Sequence, residues 1–510
     1  MEWDLTLGAE DAARLNRLKL LAPLREGRAR SRAVRIVWHD GPDAPLAKTG
    51  LALAERRGTW RLERMRPAVV ARRGGLWPPG TAPPMLAEAN APADLAAALA
   101  ANEADAMESP FPLPEPLLPW AAFEGRALSL KLRHDGEAVE LTLLQGAIRT
   151  VMHEHPICRM RLSGPAPATT AIALRLTGEI ELAVPRASLA EQALAAARGL
   201  APTPRALGAP TLARDFTVAE AFDHIVAHLS GVILHWAPLA AAGESGPEPV
   251  HQMRVATRRL RSAVSVFSRA TASPSVAQAD AGLKALAATL GPARDWDVFN
   301  GGIGATIGQA FDAERHEGQA VSKLLAATER QRLAGYERLR RFVGSVEFRQ
   351  LAITLAALAG ARPWEAEIDE EARAVAALPL EDFAATVLTR RWKRMFAEGE
   401  DIEHLETEAL HEIRLRAKRL RYAAEFFAPL FPQKATKRFI HRLSALQERL
   451  GTLNDGAVAA DLLAALTGGG VDRAFAIGAV RGFVAATGGA SRAGIAEAWK
   501  KFRKQDPFWT

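Results

Sequence analysis

The segment VHQMRVATRRLRSAVSVF at residues 250–267, together with its second copy LHEIRLRAKRLRYAAEFF at residues 410–427, decides the fold of this chain. The two copies lie 160 positions apart. The same offset relates LGPARD at residues 290–295 to LGTLND at residues 450–455. Two unrelated basic segments would have no reason to keep a second motif in step. The chain therefore contains an internal duplication.

Each copy predicts an amphipathic helix with one basic and one apolar side, because successive helical residues turn by about 100°. The basic sides carry His251, Arg254, Arg258, Arg259 and Arg261 in the first copy and, at the equivalent positions, His411, Arg414, Lys418, Arg419 and Arg421 in the second. The apolar sides carry Met253, Leu260, Val264 and Phe267, repeated as Ile413, Leu420, Ala424 and Phe427. We expect each helix to bury its apolar side.

The first basic side crowds like charges, since residues 250–267 include no acidic residue. Like charges one helical turn apart repel by roughly 0.2–0.5 kcal/mol per pair. A surface helix normally interleaves glutamate with its basic residues. The pattern therefore favours an anionic ligand, and arginine suits phosphate because its planar fork donates two parallel hydrogen bonds. The alternative is a basic face that is simply solvated.

The motif H-x-x-R-V-x-x-R-R-L-R, its second copy ending in K-R-L-R-Y, and the segments LGPARDWDV and LGTLNDGAV resemble the CHAD domain, the conserved-histidine α-helical domain. The resemblance covers about residues 215–510. It implies two pseudo-symmetric helical bundles that face each other across a basic pore and bind inorganic polyphosphate. The histidines and basic residues of both copies are then the predicted polyphosphate ligands. Tyr422 and, at the matching place, Ser262 add hydroxyl groups.

Further basic residues surround the second copy. Upstream lie Arg390, Arg391, Lys393 and Arg394, and downstream lie Lys434, Lys437, Arg438, His441 and Arg442. We predict that Arg390, Arg391, Arg394, Lys437, Arg438 and His441 contribute to polyphosphate binding, with solvent exposure as the alternative for each. No aromatic residue other than Tyr422 interrupts the basic faces. Because single-strand binders stack bases on aromatic side chains, this scarcity favours a bare phosphate polymer over nucleic acid.

The histidines and aspartates of the motifs are expected to be structural. His251 and His411 have no adjacent nucleophile and no metal-ligating partner one turn away, and arginines nearby should lower their pKa. Asp295, Asp297 and Asp455 are expected in a loop after a helix that ends at glycine. There they would cap the next helix or pair with a pore arginine, for example by a salt bridge to Arg258 or to its repeat counterpart Lys418, and metal binding is the alternative.

Composition limits the remaining possibilities. A chain of 510 residues exceeds one hydrophobic core, so two or three domains are expected. The single cysteine, Cys158, excludes an intramolecular disulfide and a thiolate metal cluster. The N-terminus is too polar for a secretory signal, and we expect no apolar run of the roughly 18 residues that span a bilayer. The sequence predicts a cytoplasmic protein without a membrane partner.

The first 200 residues predict strands. Apolar and polar residues alternate at 2–7, which is typical of a half-buried strand. Further strands are expected at 33–38, 51–57, 127–133, 138–145 and 157–162, with two more near 171–184. Helices are expected at 9–22, near 91–106 and at 188–199. The proline-rich residues 74–120 predict an irregular insertion. HDGPD at 39–43, KTGLAL at 48–53 and GAIRTVMHEHPICRMRL at 146–162 resemble, more weakly, the CYTH domain of triphosphate tunnel enzymes.

The departures from the CYTH pattern concern its catalytic groups. The family opens with E-x-E-x-K, which here is Glu2-x-Asp4-x-Thr6, and its expected glutamates near 159 and 161 are Arg159 and Arg161. Its S-K-x-x-R segment is matched here by Ser188-Leu189 followed by Gln192. Such a tunnel holds Mg²⁺ or Mn²⁺ with carboxylates, so the arginines place positive charge where the metal would lie. Glu2 and Asp4 remain weak metal candidates, and two solvent-exposed acids on an edge strand are the alternative.

The sequence thus predicts a two-domain α+β protein. A degenerate antiparallel β-barrel of CYTH type occupies residues 1–200, a linker 201–214, and an all-α pseudo-twofold CHAD domain 215–510, with halves at about 215–375 and 376–510. We expect a non-catalytic polyphosphate-binding protein without a cofactor, associated with polyphosphate granules and their proteins. The alternatives are a metal-dependent triphosphatase or polyphosphatase in the barrel, and a scaffold that binds nucleic acid or a protein partner.

Overall fold

The computed structural model describes residues 1–65, 76–100, 113–202, 210–243, 246–399, 402, 404–466, 470–488 and 491–509, without the side chains of 100, 398, 407, 452–457, 487–488 and 491–493. The first 200 residues form a sheet with short helices, and the rest is helical. The expected two-domain α+β fold is confirmed.

Eight antiparallel strands form one curled half-barrel sheet with the order β1-β8-β7-β6-β2-β3-β4-β5. The strands are β1 (Glu2–Thr6), β2 (Arg30–Asp40), β3 (Leu51–Arg56), β4 (Thr59–Arg64), β5 (Met85–Ala89), β6 (Leu118–His134), β7 (Glu137–Arg149) and β8 (Glu154–Ser163). The outer edge of β1 bonds to the chain that leads into β5, since Asp4 N donates to Gly80 O at 2.7 Å and Ala82 N to Glu2 O at 2.9 Å. These bonds cover the edge backbone of β1.

Within the described part of this region, five short helices accompany the sheet: α1 (Ala9–Leu15), α2 (Pro45–Thr49), α3 (Leu95–Ala100), α4 (Ala166–Leu176) and α5 (Leu189–Ala197). Turns of 3₁₀ helix occupy Lys19–Leu24 and Pro92–Asp94. The strands expected near 171–184 are wrong, because residues 171–176 belong to α4, which buries Ala168, Ile172 and Leu176 at helical spacing, and the rest of the segment forms only an isolated bridge at Ala183. Its β-branched residues suggested a strand, and packing overrode that propensity. The expected insertion at 74–120 in fact contains β5 and the start of β6.

The helical region contains α6 (Val218–Ala242), α7 (Glu248–Thr271), α8 (Pro274–Phe299), α9 (Ala305–Ala310), α10 (His316–Val343), α11 (Val346–Gly360), α12 (Trp364–Glu367), α13 (Glu370–Ala376), α14 (Leu380–Glu398), α15 (Thr407–Phe427), α16 (Gln433–Ala464), α17 (Gly470–Gly488) and α18 (Ser491–Arg503). A π-helical turn, Asn300–Gly304, joins α8 to α9, and Ala428–Leu430 is a 3₁₀ turn.

The two repeats share one hydrophobic core, in which the predicted apolar sides of α7 and α15 meet. The rings of Phe267 and Phe427, equivalent residues of the duplication, lie 6.0 Å apart, and Phe383 stacks on Phe267 at 5.4 Å. Reciprocal backbone bonds also join the starts of the repeats: Val218 N donates to Leu378 O at 3.1 Å, and Leu380 N to Phe216 O at 3.0 Å. The duplication is therefore a structural one, with the halves packed face to face.

The loops expected after Gly291 and Gly451 are wrong, because α8 and α16 continue through both glycines. Glycine inside a helix costs only about 1 kcal/mol relative to alanine, so tertiary packing can override it. A Cβ added at Gly291 would lie 3.4 Å from Nη1 of Arg254, so the glycine leaves room for that guanidinium. Asp295 and Asp297 consequently lie on a helix and cap nothing, and the side chain of Asp455 is outside the described part.

The half-barrel packs against α11, which contributes to two hydrophobic clusters. Leu351, Leu355 and Leu358 belong to the core of the helical region. Ile353, Ala356 and Ala357 pack with the inner residues of β7, β8 and α4. A side-chain bond from Arg349 Nε to Thr177 O, 3.1 Å long, joins the same two regions.

Helix α6 contradicts the expectation that the chain has no apolar segment long enough to span a bilayer. It is long and apolar enough to cross a membrane, and the paired helices α10 and α11 would pass the same test only if their 62° bend were part of one span. In α6, however, 67% of the most apolar 18-residue window is buried inside the fold. That burial is typical of a core helix.

Candidate functional site

The two basic helices lie side by side. Nη2 of Arg259 on α7 is 3.0 Å from Oε2 of Glu425 on α15, and both side chains are less than a fifth exposed. Because the apolar sides of α7 and α15 meet in the core, their basic sides are directed to the same margin of the contact. The fold therefore brings the two predicted rows of cations together.

Five cations from the two helices form what we call the central cluster: Arg254, Arg258, Arg414, Lys418 and Arg421. Its effect is seen at Lys418, whose pKa is lowered to about 8. Burial is the largest cause, and the positive charges of the other four members follow. A lysine loses basicity in this way when like charges surround it and little water remains to screen them. The central cluster is thus an electrostatically unfavourable arrangement in the absence of an anion.

One carboxylate reaches the central cluster from α8. Oδ1 of Asp295 lies 3.2 Å from Nη2 of Arg254. The pKa of Asp295 is raised because burial outweighs the stabilising charges of Arg254, Arg294 and Arg258. The expected pairing of this aspartate with an arginine of the basic helices is confirmed, although the partner is Arg254 and not Arg258 or Lys418. The ion pairs of Arg254 with Asp295 and of Arg421 with Glu425 offset part of the positive charge of the central cluster.

His251 and Tyr422 lie at the border of the same cluster. The pKa of His251 is lowered, as the sequence predicts, although burial contributes more than the charges of Arg294, Arg258 and Arg254. Tyr422 is buried, and the guanidinium carbon of Arg421 lies 5.6 Å from its ring centroid. A neutral imidazole and a phenol can each hydrogen-bond a phosphate oxygen without adding charge.

Besides Arg254, the predicted ligands Arg259, Arg261 and Arg421 are also paired with acids. Arg259 pairs with Glu425 as above, Nε of Arg261 lies 3.0 Å from Oδ1 of Asp280 on α8, and Nε of Arg421 lies 3.5 Å from Oε1 of Glu425. Arg259 and Arg261 therefore stand on the neutralised margins of the central cluster. Arg421 shares the acid of Arg259 and still contributes positive charge at Lys418.

A second basic group joins α14 to both motif helices. Arg391 donates from Nη1 to the carbonyl oxygen of Arg419 at 2.7 Å and from Nη2 to Oγ of Ser265 at 3.4 Å. The pKa of Arg391 is lowered to about 10 by burial and then by the charges of Arg390 and Arg419. We call Arg390, Arg391, Arg419 and Ser265 the flank group.

The other predicted ligands lie apart from these groups. His411, Arg394, Lys437, Arg438 and His441 are exposed, as are Lys393 and Lys434. Arg442 donates to the backbone oxygen of Lys501 at 3.2 Å. No contact within the described ranges joins these residues to the central cluster. The two repeats therefore contribute unequally, since His251 borders the cluster and its counterpart His411 faces solvent.

The sequence missed Arg294, Asp280 and Glu425. Arg294 on α8 acts on His251, Arg254 and Asp295, and it directly precedes Asp295 in the motif LGPARDWDV. Interpreting that motif as helix would have placed Arg294 beside α7. The acids carried no motif, and only the packing of α8 and α15 reveals them.

Asp297 belongs to a separate polar network. It accepts a hydrogen bond from Oη of Tyr336 at 2.9 Å and from Nη1 of Arg332 at 3.4 Å, so it ties α8 to α10. Burial raises the pKa of Asp297 despite these two donors. Its role in the structure is to connect helices.

Inside the half-barrel, the arginines that replace the expected glutamates are paired. Arg159 is 2% exposed, with Nη1 3.4 Å from Oδ2 of Asp4 and Nη2 2.7 Å from the oxygen of Ala187. Nη1 of Arg161 lies 3.5 Å from Oε1 of Glu2. Asp4 is buried, so the alternative of a solvent-exposed acid is wrong for it. The weak metal candidates Glu2 and Asp4 thus serve as counter-ions of arginine.

Neighbouring groups in the half-barrel extend this pattern. Burial raises the pKa of Glu63, and the charge of Arg161 acts in the opposite direction. Among the side chains that the structure describes, no three histidine, cysteine, aspartate or glutamate residues group as a metal site would require. The donor set in this region therefore fits arginine better than a divalent cation.

Residues 217–464 match the model of the family described as the CHAD domain. Similar solved structures include the CHAD domain from the plant Ricinus communis, 28% identical over 58% of this chain and 96% of its own, with a TM-score of 0.47. Another is PptA from Streptomyces chartreusis, 16% identical over 56% of this chain and 99% of its own, with a TM-score of 0.43. No curated protein matches. The resemblance to the CHAD domain is confirmed, and the half-barrel is consistent with a CYTH-like fold.

Proposed function

We propose that the CHAD domain of this protein, residues 217–464, binds inorganic polyphosphate in the central cluster between its two repeats. The observation that carries the proposal is the environment of Lys418, where burial and then the charges of four arginines from α7 and α15 lower the lysine pKa to about 8. Cations forced together in this way are stabilised by a ligand that places several negative charges close together.

Polyphosphate has the chemistry that this arrangement recognises. Each phosphate offers oxygen acceptors, and arginine donates to them through two parallel hydrogen bonds. A polymer with a charge on every unit can meet the α7 cations and the α15 cations at once. Binding should weaken steeply as salt rises, because each neutralised phosphate releases a counter-ion.

A competition experiment separates this proposal from nucleic-acid binding. Polyphosphate should displace a fluorescent single-stranded DNA probe at a lower charge concentration than unlabelled DNA or RNA does. The reason is that Tyr422, the aromatic residue of the basic faces, is buried and offers no exposed ring for stacking. Equal competition by nucleic acid at matched charge would contradict the proposal and favour a general polyanion scaffold.

We also propose that the protein does not hydrolyse the polymer. The half-barrel acids Asp4 and Glu2 that could hold a metal are paired with Arg159 and Arg161, and these arginines occupy the positions where the CYTH resemblance implies glutamates. Incubation with tripolyphosphate or long polyphosphate and Mg²⁺ or Mn²⁺ should release no phosphate. Metal-dependent release that is abolished by Asp4→Asn would instead support the enzyme alternative.

Granule association follows from the same proposal. A protein that binds the polymer tightly should concentrate where the polymer is stored in the cytoplasm. A fluorescent fusion should therefore overlap with polyphosphate granules, and the overlap should disappear in the Arg254→Ala/Arg414→Ala variant. Persistent overlap of that variant would show that another partner directs it there.

A further inference from the structure

We propose that the polyphosphate site is extended on one side only, by the flank group of Arg390, Arg391, Arg419 and Ser265, which takes further phosphates of the same polymer. The inference rests on the proposed function, because the flank group continues the central cluster. The flank group would make the binding surface of this pseudo-symmetric domain one-sided. The asymmetry begins with a difference in residue type at one pair of equivalent positions in the two repeats.

The difference concerns equivalent positions of α7 and α15. At the offset of 160, Arg259 corresponds to Arg419, and Ser265 corresponds to Glu425. Arg259 faces Glu425 across the helix contact, with 3.0 Å between the charged atoms. The pseudo-symmetric contact would join Arg419 to residue 265, where a serine stands. One side of the domain therefore has an arginine with its acid, and the other side has the arginine alone.

Arg391 on α14 increases the difference in charge between the two sides of the contact between α7 and α15. On the serine side, Arg391 bridges Oγ of Ser265 and the backbone oxygen of Arg419. The charges that shift the pKa of Arg391 are those of Arg390 and Arg419, and both lower it. No acid within the described residues counters them there. Three guanidinium groups thus stand on the serine side, whereas Glu425 neutralises the other side.

The helices that precede the two motifs explain where the added charge comes from. Helix α14 carries Arg390, Arg391, Lys393 and Arg394, whereas α6, which occupies the corresponding place in the first repeat, contains no lysine or arginine. The backbone bonds between residues 216–218 and 378–380 show that these two helices begin at matching points of the fold. The asymmetry is thus present in both the motif helices and their predecessors.

The flank group is continuous with the central cluster. Ser265 lies two helical turns beyond Arg258 on the same side of α7, a distance of roughly 10 Å along the helix axis. A polymer bound at Lys418 can follow this side of α7 and meet Arg391 next. At the equivalent distance on α15 it would meet Glu425, whose carboxylate repels it. The polymer should therefore leave the central cluster toward the flank group.

The test restores the missing acid. Ser265→Glu should weaken binding of long-chain polyphosphate about tenfold, because the new carboxylate faces Arg391 and Arg419 and repels phosphate. Ser265→Gln, of the same size without charge, should weaken it less than about threefold. Gln350→Glu on α11 adds the same charge at an exposed position and serves as the charge control. Calorimetric or fluorescence titration at fixed salt gives the affinities.

The comparison of chain lengths makes the test specific. The loss caused by Ser265→Glu should be at least about fivefold greater for long-chain polyphosphate than for tripolyphosphate, which the central cluster can hold without the flank group. Glu425→Gln, the reciprocal change, should strengthen long-chain binding roughly two- to fivefold by releasing Arg259 and Arg421. Circular dichroism and thermal unfolding verify that each variant is folded.

Three results would overturn the inference and leave the proposed function intact. One is wild-type binding of polyphosphate with equal affinities for Ser265→Glu and Ser265→Gln. Another is an equal loss for long and short chains. The third is a loss that Gln350→Glu reproduces, which would show a nonspecific effect of net charge. If the wild-type protein binds neither chain length, the proposed function itself fails.

Discussion

Arginines fill two interiors of this molecule, the half-barrel and the contact between the two repeats, and the two groups differ in what neutralises them. In the half-barrel, Arg159 and Arg161 pair with Asp4 and Glu2 of the neighbouring strand β1. Between the repeats, burial and then the charges of four surrounding arginines lower the pKa of Lys418, and Asp295 pairs with one of these arginines, Arg254. Charge that the fold neutralises stabilises the fold, whereas excess charge of one sign requires a ligand.

The largest effect is expected when the ion pair between Arg159 and Asp4 is broken. Arg159→Ala leaves the buried carboxylate of Asp4 with the longer contact to Nε of Arg161, 3.9 Å away, and breaking a buried ion pair typically costs about 3–5 kcal/mol of stability. The free energy of unfolding, measured by denaturant titration with a probe in the half-barrel, should fall by that amount. Polyphosphate affinity of the folded variant should not change, because Arg159 lies in the other interior.

A double variant provides the control for this prediction. Asp4→Leu/Arg159→Met removes both charges and retains apolar volume, so most of the lost stability should return. If Arg159→Ala were as stable as the wild type, the pair would not be a structural one. If that variant instead lost polyphosphate binding while folded, the distinction between the two interiors would fail.

The second prediction concerns the removal of positive charge from the central cluster. Arg254→Ala/Arg414→Ala takes one guanidinium from each repeat and should weaken polyphosphate binding about 100-fold or more, since hydrogen bonds to charged groups contribute roughly 1.5–3 kcal/mol each. Its salt dependence should also become less steep. Titration with polyphosphate of defined length at several salt concentrations measures both quantities.

The matched control for that variant also removes two arginines. Arg340→Ala/Arg341→Ala takes them from the exposed side of α10, where both pair with Glu337. Affinity should change less than about threefold, because exposed ion pairs contribute little. Equal losses in the two double variants would mean that net charge, and not the central cluster, determines binding.

The third prediction uses the pKa of Lys418, which is lowered to about 8 in the free protein. Bound phosphate favours the charged amine, so the complex retains its proton to higher pH. Below about pH 7 the free protein is already charged. As pH rises through 8, binding must take up a proton, and affinity should fall roughly five- to tenfold between pH 7 and 9.5. Calorimetry in buffers of different ionisation enthalpy detects that uptake.

Lys418→Arg tests this assignment because arginine stays charged throughout the range. Its affinity should be nearly independent of pH over the same interval. The free energy of unfolding should depend on pH in the opposite direction from the affinity. The unfolded chain retains the lysine proton up to about pH 10.5, so the stability of the ligand-free protein should rise between pH 8 and 10.5. Identical pH profiles for the two proteins would exclude Lys418 as the titrating group.

The smallest expected effect concerns Asp295, the acid that α8 contributes to the central cluster. Asp295 holds Arg254 through a 3.2 Å contact, and we expect this to keep the guanidinium directed toward the ligand. Asp295→Ala should weaken polyphosphate binding roughly two- to fivefold, and Asp295→Asn, which retains an acceptor oxygen, should weaken it less. Undiminished affinity of Asp295→Ala would count against a positioning role.

The sequence predicted the features that depend on local periodicity. Charge and apolar residues at helical spacing identified α7 and α15, and the duplication placed Phe267 and Phe427 in equivalent positions that meet in the core. The arginines at 159 and 161 were found because they replace carboxylates in a motif. Each of these inferences required only residues close together in the chain.

The features that the sequence missed depend on tertiary contacts. Gly291 suggested a helix end, but its missing side chain accommodates Arg254 from another helix. Arg294 was missed for the same reason, because its position on α8 follows only when the helix continues. The acids Asp280 and Glu425 lie 19 and 166 residues from the arginines that they bind. No local pattern in the sequence specifies such partners.

Helix α11 has a consequence for how the molecule can be divided. Its leucines belong to the interior of the CHAD domain, while Ile353, Ala356 and Ala357 are covered by the half-barrel. A chain shortened to its helical residues would expose this second apolar face to solvent, although every residue that we propose as a polyphosphate ligand would still be present. Helix α11 thus contributes to the cores of both domains, and the half-barrel covers an apolar face of the CHAD domain whether or not it binds a ligand itself.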